Sequence, residues 1–211
     1  AMYKLYNVKR WGSLGPHLLL DAMGIPFTNV WMTPEEVRAP EFKAVSPLGY
    51  IPALGMPDGT TLFESLAITT FLTTAHSDKG MAPLPGTPAH GEYLSWLTFM
   101  GVNIYGAINL AFHGDALTPD EAGFAFMKEK ATAESHRLFG IVEQRLAAGG
   151  PFVLGARLSA ADLYLFMLTI WAKPSEAELL AANPHIAAVC AHVRGMDCLQ
   201  AALAAHEVAG S

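Results

Sequence analysis

Apolar and polar positions follow two different textures along the chain. From residue 2 to about 75, short strand-like runs trade places with helical ones. YKLYNV (3–8) is rich in aromatic and β-branched side chains and reads as a first strand. In LGPHLLLDAMG, Leu14, Leu18, Leu19, Ala22 and Met23 recur at helical spacing, and Gly24 supplies a stop. PFTNVWM (26–32) reads as a second strand, so the span predicts a parallel βαβ unit. After a connecting segment, IPALGMPDGTTLFE (51–64) sets two short apolar runs around Pro57-Asp58-Gly59, which is hairpin chemistry. SLAITTFLTTAH (65–76) groups Leu66, Ile68, Phe71 and Leu72 as a helix does. The order βαβ, connector, ββα predicts a thioredoxin-like sheet that mixes parallel and antiparallel pairs.

Residues 76–91 hold three prolines and three glycines, and beyond them the strand signals vanish. The expected division is a thioredoxin-like domain at 2–76, a linker at 77–88 and an all-helical domain at 89–211. Helices are expected at 89–112, 119–148, 159–172, 175–182, 184–194 and 197–207. Gly149-Gly150-Pro151 stops one of them, and Asn183-Pro184 separates two others.

Composition narrows the function classes. Of 211 residues, 52% are hydrophobic and 15% charged, enough for a large core and too apolar for disorder. The net charge of -6 and the lack of a basic stripe argue against nucleic acid. No window approaches the roughly 20 apolar residues of a membrane span. AMYKLYNV lacks a basic, then apolar, leader, and Ala1 ahead of Met2 is set aside as an added residue. Two late cysteines, Cys190 and Cys198, make no disulfide framework and are expected as buried free thiols in a reducing cytoplasm. None of the eight histidines shows ligand spacing such as H-E-x-x-H, so no metal is expected, and His17 reads as a satisfied helix residue.

Three stretches carry candidate chemistry, and a fourth carries a folding signal. In SPLGYIPAL (46–54), a cis bond between Ile51 and Pro52 would turn the Ile51 backbone outward to pair with an extended peptide ligand; otherwise it is a strand start. In FESLAI (63–68), Ser65 at a helix start is an N-cap or part of an anion site, and Glu64 beside it suits an ammonium. LSAADLYLF (158–166) places Ser159 and Asp162 as a reciprocal cap, a folding signal. RWGSLGPH (10–17) leaves Ser13 as either a helix cap or a reactive group.

In that order, with the proline-rich linker, these motifs resemble the cytosolic glutathione S-transferases along nearly the whole chain. The start is most similar to bacterial beta-class members, which carry tyrosine and cysteine where this chain has Asn7 and Gly12. The resemblance implies a homodimeric cytoplasmic enzyme, with glutathione as co-substrate, that conjugates the thiolate to a small hydrophobic acceptor. A glutathione-dependent lyase or isomerase, or a non-catalytic binding module, stands as the alternative. It implies Ser13 as catalytic donor, and Ile51, Pro52, Glu64, Ser65, Lys43 and Arg38 as glutathione ligands, the last two for the glycyl carboxylate. Arg10, Trp11, Tyr105, Asn109, Phe112 and His113 would line the acceptor pocket. Lowering a thiol by two pK units needs about 2.7 kcal/mol, which one charge-assisted hydrogen bond and a helix start can supply.

Overall fold

A computed structural model describes residues 2–209; Ala1 lies outside them. The chain forms two compact units: residues up to His90 together with those from His192 onward, and Gly91–Ala191.

In the first unit, β1 (Tyr3–Asn7) pairs in parallel with β2 (Phe27–Trp31), Tyr3 opposite Phe27. On its other side β1 meets β3 (Ala53–Gly55) antiparallel, with Tyr6 opposite Ala53. β4 (Thr61–Phe63) closes the hairpin with Phe63 opposite Ala53, so the sheet order is β2-β1-β3-β4. This is the mixed thioredoxin-like sheet read from the sequence. Helix α1 (Leu14–Met23) buries Leu14, Leu18, Leu19, Leu20 and Met23. It ends at Gly24, whose φ of 63° only glycine adopts readily. Helix α3 (Ser65–Ala75) packs on α1 and buries Ile68 and Leu72.

The connector contains a helix that hydrophobic spacing does not reveal. Thr33 Oγ1 accepts the Glu36 N–H at 3.2 Å, and the Glu36 carboxylate accepts the Thr33 N–H at 2.7 Å. With Pro34 in the first position, this reciprocal cap opens α2 (Pro34–Arg38), followed by a 3-10 turn at Pro40–Ala44. The pair buries Val37 and Phe42 in a small core with Val8, Ile51 and Ala53.

Residues 192–209 were expected with the C-terminal helices. They belong instead to the first unit, where α10 (Gln200–Ala205) packs on α1. The second unit is helical. In it α4 (Pro88–Thr98) passes through a π-helical turn, Phe99–Ile104, into α5 (Tyr105–His113), so the expected 89–112 helix carries a wider turn. Helix α6 (Glu121–Gly149) starts on the Asp120 carboxylate, which accepts the Gly123 N–H at 2.7 Å. Every residue of α7 (Ala160–Thr169) is buried. Its Asp162 carboxylate accepts the N–H groups of Val153 and Ser159, each at 2.8 Å, and the Ser159 hydroxyl at 3.0 Å. Helices α8 (Glu176–Ala182) and α9 (Pro184–Arg194) follow; Glu143 of α6 accepts the His185 and Ile186 N–H groups and so caps α9 from outside. Cys190 is buried as expected, but Cys198 is exposed, because its short turn leaves it on the surface.

Candidate active site

The strand register gathers three of the expected stretches at one end of the sheet. Tyr6 lies opposite Ala53, and Ala53 opposite Phe63. Continuing past those pairs, the chain reaches the 8–13 loop, Ile51–Pro52 and Glu64–Ser65 side by side. Trp11 and Ile51 belong to the same small core, which ties the loop to the strand.

The Ile51–Pro52 bond is cis. Ile51 is buried, and among the described residues its N–H and C=O have no hydrogen-bond partner. Glu64 holds φ 70° and ψ 118°, outside the regions a side chain favours, and its carboxylate is exposed. It occupies the cap position of α3, and its own side chain makes no cap hydrogen bond. Ser65 is therefore the first helical residue and not the N-cap, which corrects one of its two expected roles.

Ser13 departs from both readings. Its side chain is fully buried and does not cap α1. Its Oγ accepts the Val8 N–H at 3.2 Å and donates to the Val8 C=O at 3.3 Å, closing the 8–13 loop on itself. The proton that a thiolate would receive is thus already given to a carbonyl. The N–H groups of Gly12 and Ser13, just ahead of α1, have no partner among the described residues.

Arg10 was expected in the acceptor pocket. Its backbone N–H instead donates to His206 Nδ1 at 3.1 Å and its guanidinium to the Glu207 C=O at 3.1 Å. Trp11, the other expected pocket residue of this unit, is partly buried and packs against the small core of Val8, Val37, Phe42, Ile51 and Ala53. Arg38 ends α2 and Lys43 lies in the following turn; both are exposed, and among the described residues neither has a carboxylate within 4.0 Å. In the second unit, Tyr105, Asn109 and Phe112 share one face of α5, with His113 at its end. Tyr105 meets Trp171 at 5.0 Å between ring centroids, and Lys173 Nζ stands 4.2 Å from the centre of Phe112.

A buried polar cluster behind the loop is absent from the sequence reading. Asn7 Nδ2 donates to Asn29 Oδ1 at 2.9 Å and lies 3.0 Å from His17 Nδ1. His17 Nδ1 lies 3.1 Å from His206 Nε2. Because His206 Nδ1 accepts from Arg10, neutral His206 carries its proton on Nε2 and donates to His17. Burial pushes His17 down to about 4; burial, His17 and Lys9 together push His206 down to about 3. His17 is a buried helix residue whose ring nitrogens lie against Asn7, Asn29 and His206, at a position only the tertiary fold defines. Asn7 serves this cluster through its amide, which reaches Asn29 and His17.

Among the described residues, no three His, Cys, Asp or Glu side chains gather as a metal site, and no helix is long and apolar enough to cross a membrane. Fold and site geometry define a thioredoxin-like domain joined to a helical one. Comparison with known proteins sharpens this. The glutathione S-transferase N-terminal domain family matches residues 13–75, and the C-terminal domain family matches 125–192. Glutathione S-transferase GstA of Escherichia coli O157:H7 is 28% identical over 196 residues, 92% of this chain and 93% of that protein. A glutathione transferase structure from Methylococcus capsulatus strain Bath is 30% identical with a TM-score of 0.84, covering 98% of this chain and 100% of that one. A sphingomonad glutathione S-transferase complexed with glutathione is 27% identical with a TM-score of 0.82, covering 97% of this chain and 99% of that one. The chain belongs to the glutathione S-transferase family of enzymes, in its bacterial cytosolic branch.

Proposed function

We propose that this enzyme binds glutathione in its first unit and conjugates the thiolate to a small hydrophobic acceptor. The carrying observation is the Ile51 backbone, whose N–H and C=O find no hydrogen-bond partner among the described residues, at the sheet end that also presents Glu64 and Ser65. An extended cysteinyl unit would satisfy the Ile51 N–H and C=O as an added strand does. The exposed Glu64 carboxylate suits the γ-glutamyl ammonium, and the α3 N-terminus its carboxylate. Arg38 and Lys43 are the cations proposed for the glycyl end. The sulfur is assigned to the unpaired N–H groups of Gly12 and Ser13, in place of the Ser13 hydroxyl. The acceptor is assigned to the 105–113 face of α5, with Tyr105, Asn109, Phe112 and His113. Exposed Leu48, Tyr50 and Phe63 support a homodimer, and late cysteines that form no disulfide among the described residues support a cytoplasmic home.

Calorimetric titration with glutathione, followed by conjugation of a model aryl halide, tests the reading. Saturable binding, weakened in Glu64→Ala, together with aryl halide turnover is expected. Binding without turnover of any electrophile would reduce the chain to a glutathione-binding module, and no binding at millimolar ligand would end the reading.

A further inference from the structure

The second unit places a cation, Lys173, against the α5 face expected to line the acceptor pocket. Tyr105, Asn109 and Phe112 lie on one face of α5, and the segment after α7 brings Trp171 and Lys173 against it. Tyr105 and Trp171 form a tilted ring pair, while Lys173 Nζ sits over Phe112. Phe112 remains 38% exposed. The Lys173 backbone is fixed from α6: its C=O lies within hydrogen-bond distance of His136 Nε2. Among the described residues no carboxylate stands within 4.0 Å of Lys173 Nζ. The nearby Glu176 accepts from Thr169 Oγ1 at 3.2 Å. The chain carries a net charge of -6, and the Lys173 ammonium supplies a local positive charge at this face.

We infer that this face selects aromatic acceptors bearing an anionic group, with Lys173 as the specificity-determining residue. The ring of such a molecule lies along Tyr105, Phe112 and Trp171, and its carboxylate or sulfonate reaches the Lys173 ammonium. This deepens the proposed function, since it names the acceptor class for the α5 face. Lys173 takes no part in thiolate chemistry and is not a catalytic residue.

Equilibrium binding of 2-naphthoate and of 2-naphthalenemethanol to the full chain tests the inference without relying on turnover. These ligands share a ring system and differ in charge. The wild type binds the naphthoate about tenfold more tightly, the ratio one charge-assisted contact gives. That preference falls with added salt, as a partly exposed contact must. Lys173→Gln brings the ratio to about one, and Lys173→Arg keeps it; a merely packing lysine would change thermal stability and leave the ratio alone. Equal affinities in the wild type, or an unchanged ratio in Lys173→Gln, overturns the inference. A chain that shows the naphthoate preference but conjugates no electrophile supports this site and overturns the transferase reading.

Discussion

His17 Nδ1 and His206 Nε2 face each other at 3.1 Å, one from α1 and the other from the end of the chain, and both rings are buried. Two imidazoles so close cannot both be charged. Burial holds them at about 4 and about 3, below the 6.5 of the unfolded chain. A lowered folded value means that the unfolded state takes up protons first. Stability is therefore complete above pH 6.5 and falls as the pH drops towards 4. Between pH 7.5 and 5 the loss is on the order of 2 kcal/mol for each histidine. Urea denaturation across that range checks this, and a flat midpoint would contradict the neutral pair.

Ser13→Ala separates a structural hydroxyl from a chemical one. Removing Oγ strips the Val8 N–H and C=O of a partner in a buried loop. The expected loss is about 1–3 kcal/mol of stability, read from thermal or urea unfolding. The pKa of enzyme-bound glutathione thiol, followed by its ultraviolet thiolate absorbance, stays within about half a unit of wild type. A hydroxyl that donated to the sulfur would instead shift it by a unit or more on removal, since 1.5–3 kcal/mol is about one to two pK units.

Glu64→Gly exchanges function for stability. At φ 70° the glutamate backbone is strained, and glycine relieves about 1–3 kcal/mol of that strain while adding somewhat less disorder to the unfolded chain. The variant melts higher, corresponding to about 1 kcal/mol, and binds glutathione at least about fivefold more weakly for want of the carboxylate. Paired melting and calorimetry check both halves.

Asp162 holds the second unit together at the head of α7. Burial pushes its carboxyl up, yet three donors converge on it. Asp162→Ala leaves the Val153 and Ser159 N–H groups buried and unpaired, a loss of about 3 kcal/mol or more. A denaturation midpoint unmoved by this change would remove Asp162 from the account.

The strands and most helices were legible because their periodicity is local. Leu14, Leu18 and Met23 declare α1 without help from elsewhere, as do the turn residues Pro57, Asp58 and Gly59 between β3 and β4. Helix α2 carried its signal in the Thr33–Glu36 cap, not in apolar spacing, and its five residues are too few for a period to show. The family stretches were legible as motifs, but side-chain partners were not. Ser13 turns to Val8, five residues back, and Arg10 turns to His206 and Glu207, almost 200 residues on. No local pattern distinguishes a hydroxyl that serves a ligand from one that closes its own loop. For the same reason His206, Trp171 and Lys173 entered only with the tertiary fold.

The most direct test of the central claim is the backbone amide spectrum of the 15N-labelled protein during titration with glutathione. The account predicts saturable shifts concentrated at Gly12, Ser13, Ile51 and Ser65, with Ile51 among the largest. Saturable binding that leaves the Ile51 and Ser65 amides unmoved would contradict it.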